Sequence, residues 1–388
     1  MRRLRIGIVG GGLGGLTAAL ALRATGQEVV VFEQAAVFRP VGAGISLWPN
    51  GVKVLSQLGL GPQVAAAAGR MDRMAYASSD GRTLTDFSLE PLYATVGERA
   101  RPLARSALQD LLIDAVGEEH IHVGRRCTGA ESDDDTAVAH FSDGYDFEGD
   151  VVVGADGTHS LLRTLVVGRP VERCYVGYVN FNTILPAASA PTAPGTWVTW
   201  VGEGRRASVM PCGEAAVYCF FDIPMSLRDG VDPKLSPAEE LEQAFGGWAP
   251  PVRSVMDAID HSKVNRVLIH DLPAVPAWFR DRMVLLGDAA HSMAPDLGQG
   301  GCQAMEDALV LARHLASTDR SVTDALRRYQ EERAPRTREI VRRARKRSDL
   351  THAVDREATE GWYRSLDGDT GEQIIAGLVE SVVTGPCG

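Results

Sequence analysis

Apolar positions recur along this chain in two rhythms. Residues 4–9 form a mostly apolar run, as expected of a strand buried in a parallel sheet, and Leu13, Leu16, Ala19 and Leu20 after it have helical spacing. Residues 28–32, 150–153 and 283–286 read as further buried strands. Between the last two the character changes. Residues 196–201, 207–210 and 216–221 predict a mainly antiparallel sheet. After Gly298 the spacing becomes helical, through residues 302–315 and into a long stretch holding Tyr329, Arg333 and Arg336, where Pro335 is a possible kink or restart. Residues 349–362 read as its continuation.

This order predicts an α/β architecture. A Rossmann-like nucleotide domain is assembled from residues 1–72, 95–172 and 273–388, ending in helices, and residues 73–94 with 173–272 form an inserted, mainly antiparallel substrate domain. No internal repeat is apparent, and the small-residue patches at 65–69 and 186–195 read as a helix end and a loop.

Composition narrows the class. With 388 residues, 45% hydrophobic and 23% charged, the chain can bury a large core spanning two associated domains. A formal charge of −10 argues against general nucleic-acid affinity, which needs a basic footprint. One local exception stands out: eight of the fifteen residues from Arg333 to Arg347 are Arg or Lys, read here as a solvated helix face. The six cysteines are scattered without metal-ligand or disulfide spacing, so no metal site is expected and a reducing compartment fits. The basic start, Met1-Arg2-Arg3, imitates a leader, but the glycines that follow break its apolar run. No apolar segment approaches the roughly 20 residues of a membrane span. The expectation is a cytoplasmic protein.

Three segments carry the chemistry. In Gly10-Gly11-Gly12-Leu13-Gly14-Gly15, the glycines at 10, 12 and 15 sit between a strand and a helix, where a tight turn, close approach of a pyrophosphate and helix packing each demand one. Glu33, with Gln34 beside it, follows the second strand and suits a ribose diol. In Gly154-Ala155-Asp156-Gly157 a carboxylate stands in a glycine turn ahead of Ser160 and Arg163. The third segment runs from Gly287-Asp288 through His291 and Pro295 to Gly298-Gln299-Gly300-Gly301, giving a second glycine-rich helix start for an anionic group. The first segment alone leaves NAD and FAD open.

Taken together, these segments resemble the signatures of the class A FAD-dependent aromatic hydroxylases of the para-hydroxybenzoate and salicylate hydroxylase class, along essentially the whole chain. The resemblance implies an FAD-binding domain of glutathione reductase type. It implies that Glu33 binds the adenosine ribose, that Arg105 contacts the phosphate or ribityl region, that Asp156 serves nucleotide binding and NAD(P)H use, and that Asp288 binds the ribityl-pyrophosphate. Pro295 and its glycine neighbours Gly298, Gly300 and Gly301 would border the ring. On residue type alone, Arg105 also fits a helix-start residue paired with a local carboxylate, and His291 a structural role.

A narrower resemblance is to the bacterial FAD-dependent urate hydroxylases of purine catabolism. It rests on Val41-Gly42-Ala43-Gly44-Ile45-Ser46-Leu47-Trp48-Pro49-Asn50-Gly51-Val52-Lys53, Gly177-Tyr178-Val179-Asn180, residues 245–251 and Thr384-Gly385-Pro386. It assigns substrate binding and hydroxylation to Arg206 and Tyr218. An arginine suits the urate anion, because its planar fork stays charged and donates to adjacent acceptors. Without the resemblance, Arg205 or Arg206 reads as a turn residue and Tyr218 as a packed strand residue. Cys212-Gly213-Glu214-Ala215 departs from that family's loop.

The implied reaction uses NADH or NADPH and O₂ to hydroxylate a small anionic ring through a flavin C4a-hydroperoxide, here urate to 5-hydroxyisourate. A salicylate-like or other heteroaromatic ring is the alternative substrate. A flavin-binding regulator without oxygen insertion is the remote alternative from another class.

Overall fold

The computed structural model describes residues 3–38, 44–226, 235–317 and 321–387. The leader-like Met1 and Arg2, and Val41-Gly42-Ala43 of the longest resemblance block, lie outside the described residues.

The first strand, Arg5–Val9, lies between two parallel neighbours, Glu28–Phe32 and Val151–Gly154, and the latter pairs in parallel with Met283–Leu285. These apolar runs need burial on both faces, and they get it. The helix Leu13–Ala24 packs over one side, against the helix Gly300–Leu315. On the other, Phe147 of a small antiparallel sheet seats against Gly7, where an added Cβ would come within 2.5 Å of its ring. That sheet, Cys127–Ser132, Ala137–Phe141 and Asp146–Gly149, went unread in the sequence.

The larger antiparallel sheet is ordered Asn265–Asp271, Cys174–Pro186, Ala216–Pro224, Arg205–Pro211, Thr196–Gly202, Arg73–Ser78, Thr83–Ser88. Arg73–Ser78 joins it in parallel with Thr196–Gly202 and carries Thr83–Ser88 at the edge, while Glu90–Val96 is helical. The expected mixed α/β fold, with parallel and antiparallel sheets and terminal helices, is the one observed.

The helix Val322–Thr351 runs through Pro335 without interruption. It then ends. Ala353 adopts a left-handed φ of 55°, and Asp355 caps the next helix, Arg356–Leu366, by accepting from the Ala358 N–H at 3.1 Å. The expected continuous helix over 349–362 is therefore broken at His352, which matters below.

The basic run corrects the solvated-face expectation. Arg333 is 1% exposed, donating to Glu306 at 2.6 Å and to Asp307 at 2.7 Å, and Arg336 donates to both oxygens of Glu306 at 2.8 Å. Arg345 pairs with Asp271, and Arg347 lies over the Trp362 ring. The acids that partner Arg333, Arg336 and Arg345 come from other elements, so these cations face inward, while Arg338, Arg342 and Lys346 stay exposed. Burial pushes the carboxyls of Glu306 and Asp307 up, but their cationic partners outweigh it and hold both below the ordinary range.

Candidate active site

The glycine fingerprint has the backbone its spacing implies. Gly10 has φ of 114°, and an added Cβ would lie 2.2 Å from the Ala155 carbonyl oxygen; at Gly15 one would lie 2.0 Å from that of Gly10. Neither position admits a side chain. At Gly12 an added Cβ would meet nothing within 4 Å, so its surface, at the start of the helix Leu13–Ala24, faces open space. That is the shape a pyrophosphate requires.

Glu33 sits just past its strand, accepting from the N–H groups of Gly11 and Ala35 at 2.8 Å each, while Gln34 is exposed. Arg105 begins the helix Arg105–Val116, is exposed, and makes no ion pair among the described residues, unlike the locally paired arginine that residue type alone allowed. One turn on, Gln109 donates to the Gly11 carbonyl at 3.0 Å, a tie between helix and fingerprint that the sequence did not reveal.

Asp156 accepts from Ser160 at 2.6 Å and from the N–H groups of Leu161 and Leu162 at 2.8 and 3.1 Å. It caps a helix, and burial raises its carboxyl. Its neighbours Ala155 and Gly157 face the cavity described next. Arg163 links this turn to the third motif, donating to the Ala289 carbonyl at 3.1 Å. Asp288 is exposed at the first position of its helix and accepts no hydrogen bond among the described residues. His291 has the structural role foreseen for it: buried, with Nε2 at 2.6 Å from Asp307, whose same carboxyl oxygen accepts from Gly287 N–H at 3.0 Å.

One cavity of about 350 Å³ unites these elements. It is bordered by Gly12, Leu13, Gly14 and Arg105, by Asp288, Pro295, Gly298, Gly300 and Gly301, and by Arg206 and Tyr218 of the antiparallel sheet. The residues fit an elongated dinucleotide: an open glycine face at a helix start, an uncommitted arginine and an uncommitted aspartate along the same wall.

At the sheet end, Arg206 and Asp222 are direct partners on neighbouring strands, and Met210 pairs with Tyr218 two face-repeats away. Arg206 is buried, donating from Nε to Asp222 at 2.6 Å, with Nη2 3.2 Å from Asp296. Burial disfavours its charge, but Asp222 and Asp296 outweigh that and raise it above its ordinary value. Asp296 feels the converse: burial pushes it up, while Arg206 and His352 bring it down to about 2. Tyr178 donates to Asp296 at 2.8 Å, and Asn180 to Asp222 at 2.7 Å. Tyr218 keeps a hydroxyl with no partner among the described residues, and burial raises it. Phe220, Trp197 and Met210 complete an apolar wall. Arg205, by contrast, turns away to the Ala244 carbonyl and Glu203.

Comparison with known proteins places this geometry. The family model described as "FAD binding domain" matches residues 3–344. The FAD-dependent urate hydroxylase of Klebsiella pneumoniae subsp. pneumoniae is 42% identical over 382 residues, covering 98% of this chain and 99% of that one. Its Mycolicibacterium vanbaalenii namesake is 42% identical over 392 residues, covering 99% and 98%. The crystal structure of Klebsiella pneumoniae HpxO complexed with FAD and uric acid superimposes with a TM-score of 0.94 at 41% identity, covering 99% and 98% of the two chains. A salicylate hydroxylase substrate complex, at 21% identity and a TM-score of 0.78, shares the fold. Matched along most of its length by one model and nearly end to end by these enzymes, the chain belongs to the FAD-binding flavoprotein monooxygenases.

Proposed function

We propose that this enzyme is a urate hydroxylase, consuming urate, O₂ and NADH or NADPH with a proton, and yielding 5-hydroxyisourate, water and the oxidised nicotinamide. The observation that carries the reading is the placement of a buried, permanently charged Arg206 at the end of the same cavity whose other end is the glycine fingerprint. Whole-chain identity to urate hydroxylases supports it.

In this reading residues 1–72, 95–172 and 273–388 hold FAD, while 73–94 and 173–272 bear the substrate sheet. Gly10, Gly12, Leu13, Gly14 and Gly15 accept the pyrophosphate, Glu33 and Gln34 the adenosine ribose, and Arg105 and Asp288 the phosphate and ribityl portion. Asp156 shapes the turn between them, and Pro295, Gly298, Gly300 and Gly301 border the ring. When bound, the flavin supplies the redox chemistry, taking hydride from the nicotinamide and activating O₂.

The chain's own residues do the rest. Arg206 attracts and orients the anionic ring through charge-assisted hydrogen bonds. Tyr218 offers its unpartnered hydroxyl to a ring oxygen or nitrogen. Trp197, Phe220 and Met210 exclude water, which strengthens both contacts and protects the oxygen transfer. All six cysteines are free thiols, and no helix among the described residues is long and apolar enough to cross a membrane, in keeping with a cytoplasmic site of action.

Turnover under oxygen-18 gas tests the reading. One labelled atom in a urate-derived product supports it; label found only in water and hydrogen peroxide contradicts it. A panel including salicylate and other heteroaromatic acids separates the alternative substrates.

A further inference from the structure

The substrate end of the cavity holds an imbalance of charge. One buried cation, Arg206, faces two buried carboxylates, Asp222 and Asp296. An entering anion would meet a net negative site. The groups packed around this cluster are Tyr178, neutral because burial and Asp296 hold its hydroxyl well above the ordinary value, the amide of Asn180, and His352.

His352 comes from the helix break after Thr351 and is 2% exposed at its side chain. Its ring stacks on Tyr178 with centroids 3.8 Å apart and planes 26° from parallel. Nδ1 lies 3.1 Å from the Gly204 carbonyl oxygen. Nε2 lies 3.6 Å from Asp296 Oδ1 and 3.9 Å from Asp222 Oδ2. Both Nε2 and Asp296 Oδ1 are buried atoms without a hydrogen bond among the described residues. Every polar neighbour of the imidazole is thus an acceptor. A neutral ring would have to aim a lone pair either at a carbonyl or at two carboxylates.

Nor is the contact with Gly204 incidental. Gly204 ends the turn that leads into Arg205 and Arg206; its N–H donates to the Tyr363 hydroxyl at 3.1 Å, and an added Cβ would meet Ala353 at 2.8 Å. The end of the helix Val322–Thr351 and the helix Arg356–Leu366 therefore clamp the turn that sets Arg206. Asp349, one turn before His352 on its own helix, is the remaining acid nearby, and burial raises it.

We propose that His352 is a positioning residue of the substrate site, carrying a proton on both ring nitrogens so that it balances the second carboxylate and leaves Arg206 available to the substrate anion. Nδ1–H holds the Gly204 turn; Nε2–H faces Asp296 and Asp222. The inference rests on the reading of Arg206 as the anion-binding group.

The test uses the FAD-loaded enzyme labelled with nitrogen-15 histidine. The imidazole signals absent from His352→Gln, or displaced in Tyr178→Leu should that variant fail to bind FAD, belong to His352. The expected result at pH 7.5 is an imidazolium signature at both nitrogens, together with a KM for urate raised roughly tenfold or more in His352→Gln, with kcat changed far less and FAD retained. A neutral tautomer at that pH overturns the proposal. So does an unchanged KM. Arg206→Gln, assayed in parallel, keeps the two readings apart: if it leaves the KM for urate unaltered, the substrate assignment fails, while the nitrogen spectrum still judges the charge on His352.

Discussion

Arg206 and Asp296 meet at 3.2 Å from opposite parts of the chain, one in the antiparallel sheet and the other within the glycine-rich segment that borders the nucleotide end. The contact joins the substrate half of the cavity to its cofactor half, and each member shifts the other's charge equilibrium.

Replacing Arg206 by Gln keeps a donor and removes the charge. A charge-assisted hydrogen bond is worth about 1.5–3 kcal/mol, so kcat/KM for urate should fall about 10- to 150-fold. FAD affinity should stay within about twofold, because no predicted cofactor contact involves this side chain. Steady-state kinetics beside a flavin fluorescence titration reads both.

The fingerprint glycines should separate by mechanism. Gly15→Ala drives a Cβ toward the Gly10 carbonyl and should lower the melting temperature of the FAD-free protein. Gly12→Ala meets no protein atom within 4 Å, so that melting temperature should hold while the Kd for FAD rises. Equal melting losses in the two variants would contradict the assignment of the open space to a ligand.

Arg333→Met strips the cation from Glu306 and Asp307 and leaves two buried carboxylates short of a partner. Breaking such a buried pair typically costs about 3–5 kcal/mol. Denaturant unfolding of the FAD-loaded protein should show a loss of that order, against a near-neutral Arg342→Met at an exposed pair with Glu339.

Acid stability follows from the same carboxylates. Asp296 is held at about 2 in the fold against 3.8 as its ordinary value, and Glu306 and Asp307 are also depressed. A depressed carboxyl binds fewer protons folded than unfolded, so its stabilisation is complete above the unfolded value and disappears as pH falls through the folded one. The melting temperature should therefore decline mainly from about pH 4.5 toward pH 2, and Arg333→Met, which removes a cation that depresses Glu306 and Asp307, should make that decline shallower. A profile flat to pH 2 would show that these carboxylates are not ion-paired in solution.

How much of this was legible in the sequence depends on the range of the cause. The fingerprint was readable because its glycine spacing belongs to one strand–turn–helix unit, within which Gly15 answers to the Gly10 carbonyl. Asp288 and Arg105 fell at helix starts for similarly local reasons. Arg206 and Tyr218 came only through a family likeness, since nothing beside them marks a cavity. Their partners were missed: Asp222 falls just past the strand read over residues 216–221, and Asp296, a carboxylate between Pro295 and Gly298 in the third motif, was a signal left unused. Tyr178 and His352, 174 positions apart in the chain, meet only through the sheet and the helix break. The basic run misled for the same reason, because Glu306, Asp307 and Asp271 are supplied by other elements.

The most direct measurement of the central claim is stoichiometry: urate-dependent NADH oxidation by the purified holoenzyme, with urate loss, product mass and hydrogen peroxide followed together. One urate consumed per NADH, a product heavier than urate by one oxygen atom, as expected for 5-hydroxyisourate, and little peroxide is the predicted result. Accelerated NADH loss with urate intact and peroxide accumulating would contradict it, reducing urate to an effector.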